Sequence, residues 1–217
     1  IFIFSLALGS LPHLLAQKNP DDDWPMFMHD LEHTGCSRDV VKPPLEKVWE
    51  YETGDLVSTT SPAISGDYLY VGSNQIIYCL NKYTGEKKWI YSRFGANYSS
   101  PTISGDYLYT TSERKVYCLD KNTGEKIWEY ETGDYVDTSS PVISGNHLYV
   151  GSWDNKIYCL DKETGSNIWE YKTGCIVQVS PTVSGDYVYV GSDDGKVYCL
   201  NKNTGKKVWE YNTGAAI

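Results

Sequence analysis

The chain lacks an excess of basic residues. Nineteen Lys and Arg residues stand against 28 Asp and Glu residues, which gives the 217-residue chain a net charge of −9. A surface that binds nucleic acid needs a basic patch or stripe. The composition therefore excludes nucleic acid as a partner, and the scattered Lys and Glu residues at turn positions are typical of a solvated surface.

The chain also lacks the short motifs of common catalytic sites. It contains no G-x-x-x-x-G-K-[ST] or G-x-G-x-x-G phosphate loop, and no G-x-S-x-G around a nucleophilic serine. We therefore assign no catalytic, cofactor-binding or metal-binding residue from the sequence.

Two weak metal-binding patterns remain. Four residues have a spacing suited to zinc, namely His29, Asp30, His33 and Cys36. Their string is HDLEH rather than HExxH, and we favour a segment that packs on the rest of the protein. Segments 120–124 and 161–165 partly resemble calcium loops but lack the later Gly and Glu of the EF-hand, and turn chemistry accounts for them.

No apolar stretch is long enough to span a membrane. Residues 1–16 are almost wholly apolar, but a spanning helix needs about 20 such residues. We interpret residues 1–17 as the remnant of a signal peptide, whose charged start is missing, and keep a buried strand as the alternative. No cysteine follows at once, so a lipid anchor is not predicted. We expect an exported protein, in the periplasm, at the cell surface or outside the cell.

Helical periodicity is absent from the rest of the chain, where a unit of about 40 residues recurs four times. Equivalent residues lie 39 to 41 positions apart: Trp49, Trp89, Trp128, Trp169 and Trp209; Pro62, Pro101, Pro141 and Pro181; Cys79, Cys118, Cys159 and Cys199. Because the unit length varies so little, short turns must join its parts.

Each unit contains four short apolar segments separated by turn residues. In the last unit these segments are 180–183, 187–190, 196–200 and 206–211, and Gly205 closes the turn before the fourth. Four strands in about 40 residues are typical of a β-propeller blade. We therefore predict an all-β propeller of four-stranded antiparallel blades.

The phase of the repeats divides the chain into domains. After a lead-in segment over 18–45, the repeats cover 46–217. We expect an orphan fourth strand over 46–54 and then four blades over about 58–95, 97–134, 137–174 and 177–214. The orphan strand suggests a partial propeller from a parent of seven or eight blades. A four-bladed ring with a spare strand is the alternative.

The repeats carry a family resemblance. The string Y-C-L-[DN]-K-x-T-G-x-x-x-W resembles the tryptophan-docking motif of PQQ-like (quinoprotein-type) propeller repeats, with Cys where that family usually has Ala. The lead-in string WPMFMHDLEHTGCS is also similar to the segment before the first blade of that family. The resemblance implies that the repeated tryptophans, Trp49 included, stack on glycine turns of adjacent blades, at Gly85, Gly124, Gly165 and Gly205.

The resemblance implies two kinds of function. Some members of the family are scaffold propellers of the outer-membrane β-barrel assembly machine, and we expect a non-catalytic exported scaffold or binding module without cofactor. A sensor or substrate-binding part of a larger secreted chain would share these properties. The alternative is a fragment of a PQQ- and calcium-dependent dehydrogenase. Such enzymes use a pair of adjacent cysteines and a catalytic Asp, but this sequence has no adjacent cysteine pair.

The cysteines in register are predicted to be free. Equivalent points on adjacent blades are usually farther apart than the roughly 7 Å between Cα atoms that a disulfide allows. We interpret Cys79, Cys118, Cys159 and Cys199 as small buried apolar residues. Cys36 and Cys175 lie outside the register, and whether they pair stays open.

Differences between the copies indicate where a partner would bind. Trp153 occupies the position of Asn74, Glu113 and Asp193 in the other copies, and Arg93 lies in a segment that breaks the pattern of the first blade. Both are candidate contacts for a protein or polymer partner that binds at the loops or the channel. A Trp153 that fills a gap between blades is the alternative.

Overall fold

The computed structural model describes residues 23–27, 29–31, 44, 46–54, 56–57, 60–92, 95, 98–136 and 138–217. Within these residues the strands form four separate four-stranded antiparallel sheets, without a helix. This arrangement confirms the predicted partial propeller of about four blades. The described part of the chain contains no helix capable of crossing a membrane. The signal peptide predicted over 1–17 lies outside the described residues.

The four sheets follow one another along the chain, and each contains consecutive strands. Blade 1 contains Ala63–Ser65 (β1), Tyr68–Gly72 (β2), Ile77–Asn81 (β3) and Lys87–Tyr91 (β4). Blade 2 contains Thr102–Ser104 (β5), Tyr107–Ser112 (β6), Lys115–Asp120 (β7) and Lys126–Glu131 (β8). Blade 3 contains Val142–Ser144 (β9), His147–Ser152 (β10), Lys156–Asp161 (β11) and Asn167–Lys172 (β12). Blade 4 contains Thr182–Ser184 (β13), Tyr187–Ser192 (β14), Lys196–Asn201 (β15) and Lys207–Asn212 (β16).

Blade 3 shows how the sequence produces one sheet. Gly145, at a φ of 61°, closes the hairpin between β9 and β10, a conformation that favours glycine. Strands β11 and β12 pair at Cys159 and Trp169, and a register shift follows at Leu160. Both faces of β11 are buried because a blade lies on each side, so alternate residues are apolar on both faces.

The first strands of the blades lie at the inner side of the arc, where those of neighbouring blades contact one another. A ladder of serine hydrogen bonds joins them. The amide of Ser61 donates to Ser100 Oγ at 2.8 Å, and the amide of Ser100 donates to Ser140 Oγ at 2.9 Å. The amide of Ser140 donates to Ser180 Oγ at 2.9 Å. The serines before the last three repeated prolines thus each accept a hydrogen bond from a backbone amide of the preceding unit.

The described part of the lead-in crosses the first strands of three blades. Trp24 forms a bridge with Ile64 of β1, and the amide of Ile103 in β5 donates to the Pro25 carbonyl at 2.6 Å. The amide of Val183 in β13 donates to the Leu31 carbonyl at 3.2 Å. This segment therefore packs on the propeller, as the sequence predicts.

Residues 46–54, where the sequence predicts an orphan fourth strand, belong to none of the four hydrogen-bonded sheets. Residues 46–54 lack a hydrogen-bonded partner strand, since every described strand belongs to blades 1 to 4. A strand is defined by its pairing, and the described residues contain no third strand for this segment to join. Its side chains nevertheless pack on blade 1, where Trp49 and Tyr51 lie against Val71, Tyr78 and Leu80.

Candidate functional site

The repeated tryptophans lie on the glycine turns of the following blades. Four such contacts are found: Trp49 with Gly85, Trp89 with Gly124, Trp128 with Gly165 and Trp169 with Gly205. A Cβ built on any of these glycines would lie within 2.7 Å of the indole. Each of the four indole Nε1 groups also donates a 3.0 Å hydrogen bond to a lysine carbonyl of the same turn. The contacts are those of interblade packing.

In the two loops that partly resemble calcium sites, the aspartates accept hydrogen bonds from backbone amides of their own turns. Asp161 Oδ1 accepts the amides of Glu163 at 3.0 Å and Thr164 at 2.8 Å. The Thr164 amide is the main cause of a pKa of Asp161 below its usual range. Among the described residues, no group of three or more His, Cys, Asp or Glu side chains is arranged to hold a metal ion.

The histidine of the possible zinc pattern packs inside the lead-in. The His29 ring contacts the Trp24 indole edge-on at 4.7 Å between centroids, and its Nδ1 lies 3.6 Å from Asp30 Oδ2. The other two residues of that pattern, His33 and Cys36, lie outside the described residues.

The four cysteines in register are free and buried. Each lies beside a tyrosine of the neighbouring strand, as Cys159 does beside Tyr149. Burial raises the pKa of Cys79, Cys118 and Cys159 to about 12. Cys175 is also free and is only half-buried.

An exposed aromatic cluster lies on the loops of blades 2 and 3, and we call it the variable-loop surface. It consists of Arg114, Asp134, Tyr135 and Trp153. The rings of Tyr135 and Trp153 meet edge to face at 5.9 Å, and their side chains are 41% and 36% exposed. The Arg114 guanidinium lies 5.6 Å from the Tyr135 ring and 3.6 Å from Asp134 Oδ1. Trp153 is therefore exposed and does not fill a buried gap between blades.

Backbone contacts hold this cluster in place. The Trp153 amide donates to the Tyr135 carbonyl at 2.8 Å, and the indole Nε1 donates to Thr138 Oγ1 at 3.3 Å. In blade 4, Asp193 stands at the position of Trp153, and its carboxylate accepts a hydrogen bond from the Gln178 side-chain amide at 3.1 Å. The position of Trp153 thus makes an aromatic contact in blade 3, whereas the same position in blade 4, Asp193, accepts a hydrogen bond.

The sequence indicated Trp153 but missed Tyr135 and Arg114. Variation between the copies could have indicated Tyr135. Two residues after the Thr-Gly pair, other copies have Leu56 and Ile176 at the position of Tyr135. The three side chains belong to different loops, and only the packing of blade 2 on blade 3 brings them together. Arg93, the other predicted contact, lies outside the described residues.

The sequence lacks one feature that the resemblance implies for a PQQ-dependent dehydrogenase. The whole sequence has no adjacent cysteine pair. Within the described ranges, no cluster of three or more His, Cys, Asp or Glu side chains could hold a calcium ion. No reaction step is therefore assigned to the chain.

Sequence comparison relates part of the chain to a known family. Residues 112–216 match the family model described as outer membrane protein assembly factor BamB. Residues 58–77 match the model of the LVIVD repeat. A search of curated proteins found no match to the chain. The BamB match includes every residue of the variable-loop surface.

Solved structures share the fold. A europium-containing methanol dehydrogenase is 16% identical with a TM-score of 0.76 over 90% of this chain and 49% of that one. BamB from Moraxella catarrhalis is 23% identical with a TM-score of 0.59 over 76% of this chain and 64% of that one. The quinohemoprotein alcohol dehydrogenase from Comamonas testosteroni is 17% identical with a TM-score of 0.74 over 88% of this chain and 41% of that one. The chain thus carries PQQ-like propeller repeats similar to BamB, and it spans less than two thirds of each of these structures.

Proposed function

We propose that the chain is an exported, non-catalytic propeller module that binds a protein partner through the variable-loop surface. The observation that carries this proposal is the exposed Tyr135–Trp153 pair with Arg114 beside it. Trp, Tyr and Arg are the residues most enriched among those that dominate binding energy at protein interfaces. They are collected here on one face, within the part of the chain that is similar to BamB.

The geometry of the surface favours binding over a purely structural role. The two rings are held by the Trp153 amide and by Thr138, so little side-chain freedom would be lost on association. Asp134 offsets the charge of Arg114, which leaves a largely neutral aromatic patch on a chain of net charge −9. An aromatic patch with a guanidinium at its edge suits a protein surface that offers an apolar pocket and a hydrogen-bond acceptor at its rim.

A site-directed crosslinking experiment tests the proposal. A photoreactive phenylalanine analogue at position 153 is expected to crosslink one envelope protein in cells that produce the chain. The same analogue at position 83 is the control. Tyr83 is 58% exposed, but it lies on the turn after β3 and is not part of the variable-loop surface. In addition, the Tyr135→Ala change should abolish the crosslink from position 153. Equal crosslinking from positions 153 and 83 would contradict the proposal.

Export is tested separately. Residues 1–17 fused to a reporter enzyme that is active only outside the cytoplasm should give activity, and replacement of Leu14 by Arg should remove it. Activity that does not depend on these residues would show that they are not an export signal.

A fragment of a PQQ-dependent dehydrogenase is the second candidate, favoured by the fold shared with the methanol dehydrogenase. Its test is reconstitution of the purified chain with PQQ and calcium, followed by a dye-linked alcohol oxidation assay. We expect no PQQ-dependent oxidation, because the sequence has no adjacent cysteine pair. Oxidation that requires both additions would reverse this choice.

A further inference from the structure

The fourth strand of blade 1 differs from the fourth strands of the other three blades. In blades 2, 3 and 4 a glutamate of this strand accepts a hydrogen bond from a lysine at the start of the third strand, at 2.7 to 2.8 Å. The strand registers place Ile90 at the position of that glutamate and Ile76 at the position of that lysine. The ion pairs are Lys115 with Glu129, Lys156 with Glu170, and Lys196 with Glu210.

The outer edge of blade 1 is exposed for a reason that all the blades share. Ile90 is 45% exposed, and it belongs to β4, the last strand of its sheet. At the same position the side chains of Glu129 and Glu170 are 35% and 42% exposed, although a complete blade precedes each of them. The exposure of Ile90 therefore belongs to the architecture of a blade, and it does not depend on the position of blade 1 in the chain.

Each fourth strand is an edge strand, because no described strand pairs with the outer row of its backbone amide and carbonyl groups. Such an edge can receive an added strand, and proteins oppose this with charged side chains. In blade 2, Glu129 accepts hydrogen bonds from Lys115 at 2.8 Å and from Lys126 at 2.6 Å. The charges of this edge are paired within the blade, so they offer no unsatisfied charge to an incoming strand.

Charge distinguishes β4 from the other edges. Strand β4 reads KKWIY, whereas the first five residues of β8 read KIWEY. Lys87 and Lys88 are exposed, and neither forms an ion pair within the described part of the chain. The Lys88 ammonium lies 4.0 Å from the centre of the Tyr68 ring, which favours one position of this charge. Because Ile127 of β8 is also 48% exposed, the feature specific to β4 is positive charge without a carboxylate.

We propose that β4 accepts an extended acidic segment of a partner protein, which adds to blade 1 as a fifth strand. Backbone hydrogen bonds supply affinity in this mode of recognition, and side chains supply specificity. Carboxylates of the segment face Lys87 and Lys88, and an apolar residue of the segment covers Ile90. An anionic lipid surface has the same charge, but it cannot form the backbone hydrogen bonds that an edge strand offers. The site goes beyond the proposed function, because β4 is not part of the variable-loop surface.

Fluorescence anisotropy of a labelled synthetic peptide, measured with the full chain, tests this proposal. The probe is a peptide of about seven residues in which glutamate and valine alternate, which matches the length of a short strand. We expect saturable binding of one peptide per chain. A peptide with lysine in place of glutamate should bind about tenfold more weakly or less, because like charges then face each other.

Exchange of two residues between the edges provides matched variants. Lys88→Ile with Ile90→Glu gives β4 the sequence KIWEY of β8, and it should weaken peptide binding about tenfold or more. The variant should fold, because blade 2 accommodates the same five residues in the same strand. The reciprocal change, Ile127→Lys with Glu129→Ile, gives β8 the sequence KKWIY and should create a second peptide site per chain. Circular dichroism would establish that both variants retain the sheet structure.

Hydrogen exchange provides a second measurement. The amides of residues 87–91 should become more protected when the acidic peptide is added, and those of residues 126–130 should not. Equal binding of the acidic and basic peptides would overturn the proposal, and so would unchanged binding to the β4 variant or a β8 variant that gains no site. Adsorption of the chain to vesicles of anionic lipid without any peptide binding would also overturn it.

The outcome is separable from that of the proposed function. Lys88→Ile with Ile90→Glu should leave the crosslink from position 153 unchanged, because the two surfaces lie on different blades. Loss of peptide binding together with a retained crosslink would support both proposals. Peptide binding at β4 without a crosslink from position 153 would contradict only the proposed function.

Discussion

The indole of Trp128 packs against Gly165 of the following blade, close enough that a Cβ on that glycine would be 2.7 Å from the ring. The same turn accepts a 3.0 Å hydrogen bond from the Trp128 Nε1 at the Lys162 carbonyl. Glycine suits this position for two reasons. Its φ of 72° is one that residues with a side chain rarely adopt, and a Cβ here would meet the Trp128 ring. One tryptophan and one glycine therefore join two blades at their outer edge.

The Trp128→Ala change should destabilise the chain by roughly 3–5 kcal/mol, because it removes a large packed aromatic side chain and leaves a cavity. Trp209→Ala is the matched control and should cost about 1 kcal/mol or less, since no glycine turn among the described residues covers Trp209. Urea denaturation measures both losses. Equal losses would contradict the interblade role of Trp128.

The Gly165→Ala change should lower the free energy of unfolding more than the Gly145→Ala change does. Both glycines have positive φ, at 72° and 61°, so both alanines incur a backbone cost of about 1–2 kcal/mol. Only at Gly165 would the new methyl group meet a ring, whereas nothing lies within 4 Å at Gly145. The added overpacking should cost roughly 1–3 kcal/mol more, measured by urea denaturation. Indistinguishable midpoints would argue against the contact.

Asp161→Asn should make the chain less sensitive to acid. The pKa of Asp161 is lowered chiefly by the Thr164 amide, so the carboxylate contributes stability above its unfolded-state pKa and loses it as pH falls through the folded pKa. Asparagine keeps the acceptor, as Asn81 does with the amides of Tyr83 and Thr84, but does not titrate. The free energy of unfolding, followed from about pH 6 to pH 2, should therefore fall less steeply in the variant. Parallel curves would exclude this contribution.

The four cysteines in register should not react with a thiol reagent in the native protein at about pH 8. Burial raises the pKa of Cys79, Cys118 and Cys159 to about 12, so almost no reactive thiolate is present. Cys175, which is half-buried, should react, and Cys175→Ser should lower the native count by one. Denaturation of the unsubstituted chain without reductant should expose six thiols, and a lower count would reveal a disulfide.

The architecture was predictable because it repeats. Four copies of one pattern make strand positions, turn glycines and buried cysteines visible in a single sequence, and the structure places the strands in four-stranded blades. The orphan strand expected at 46–54 stays a prediction, for a reason that lies outside the segment. A fourth strand needs a third strand to pair with, and none is available to it among the described residues.

The sequence by itself determined the local structure: where the chain turns, which faces are apolar and which tryptophans repeat. These properties depend on residues close together in the chain. Only the tertiary structure decided which residues share a surface. Arg114, Tyr135 and Trp153 belong to different loops and meet because blade 2 packs on blade 3. Trp49 and Trp209 have nearly identical sequence surroundings, yet one is covered by a glycine turn and the other is exposed. That difference arises because burial depends on the neighbouring blade and not on the segment itself.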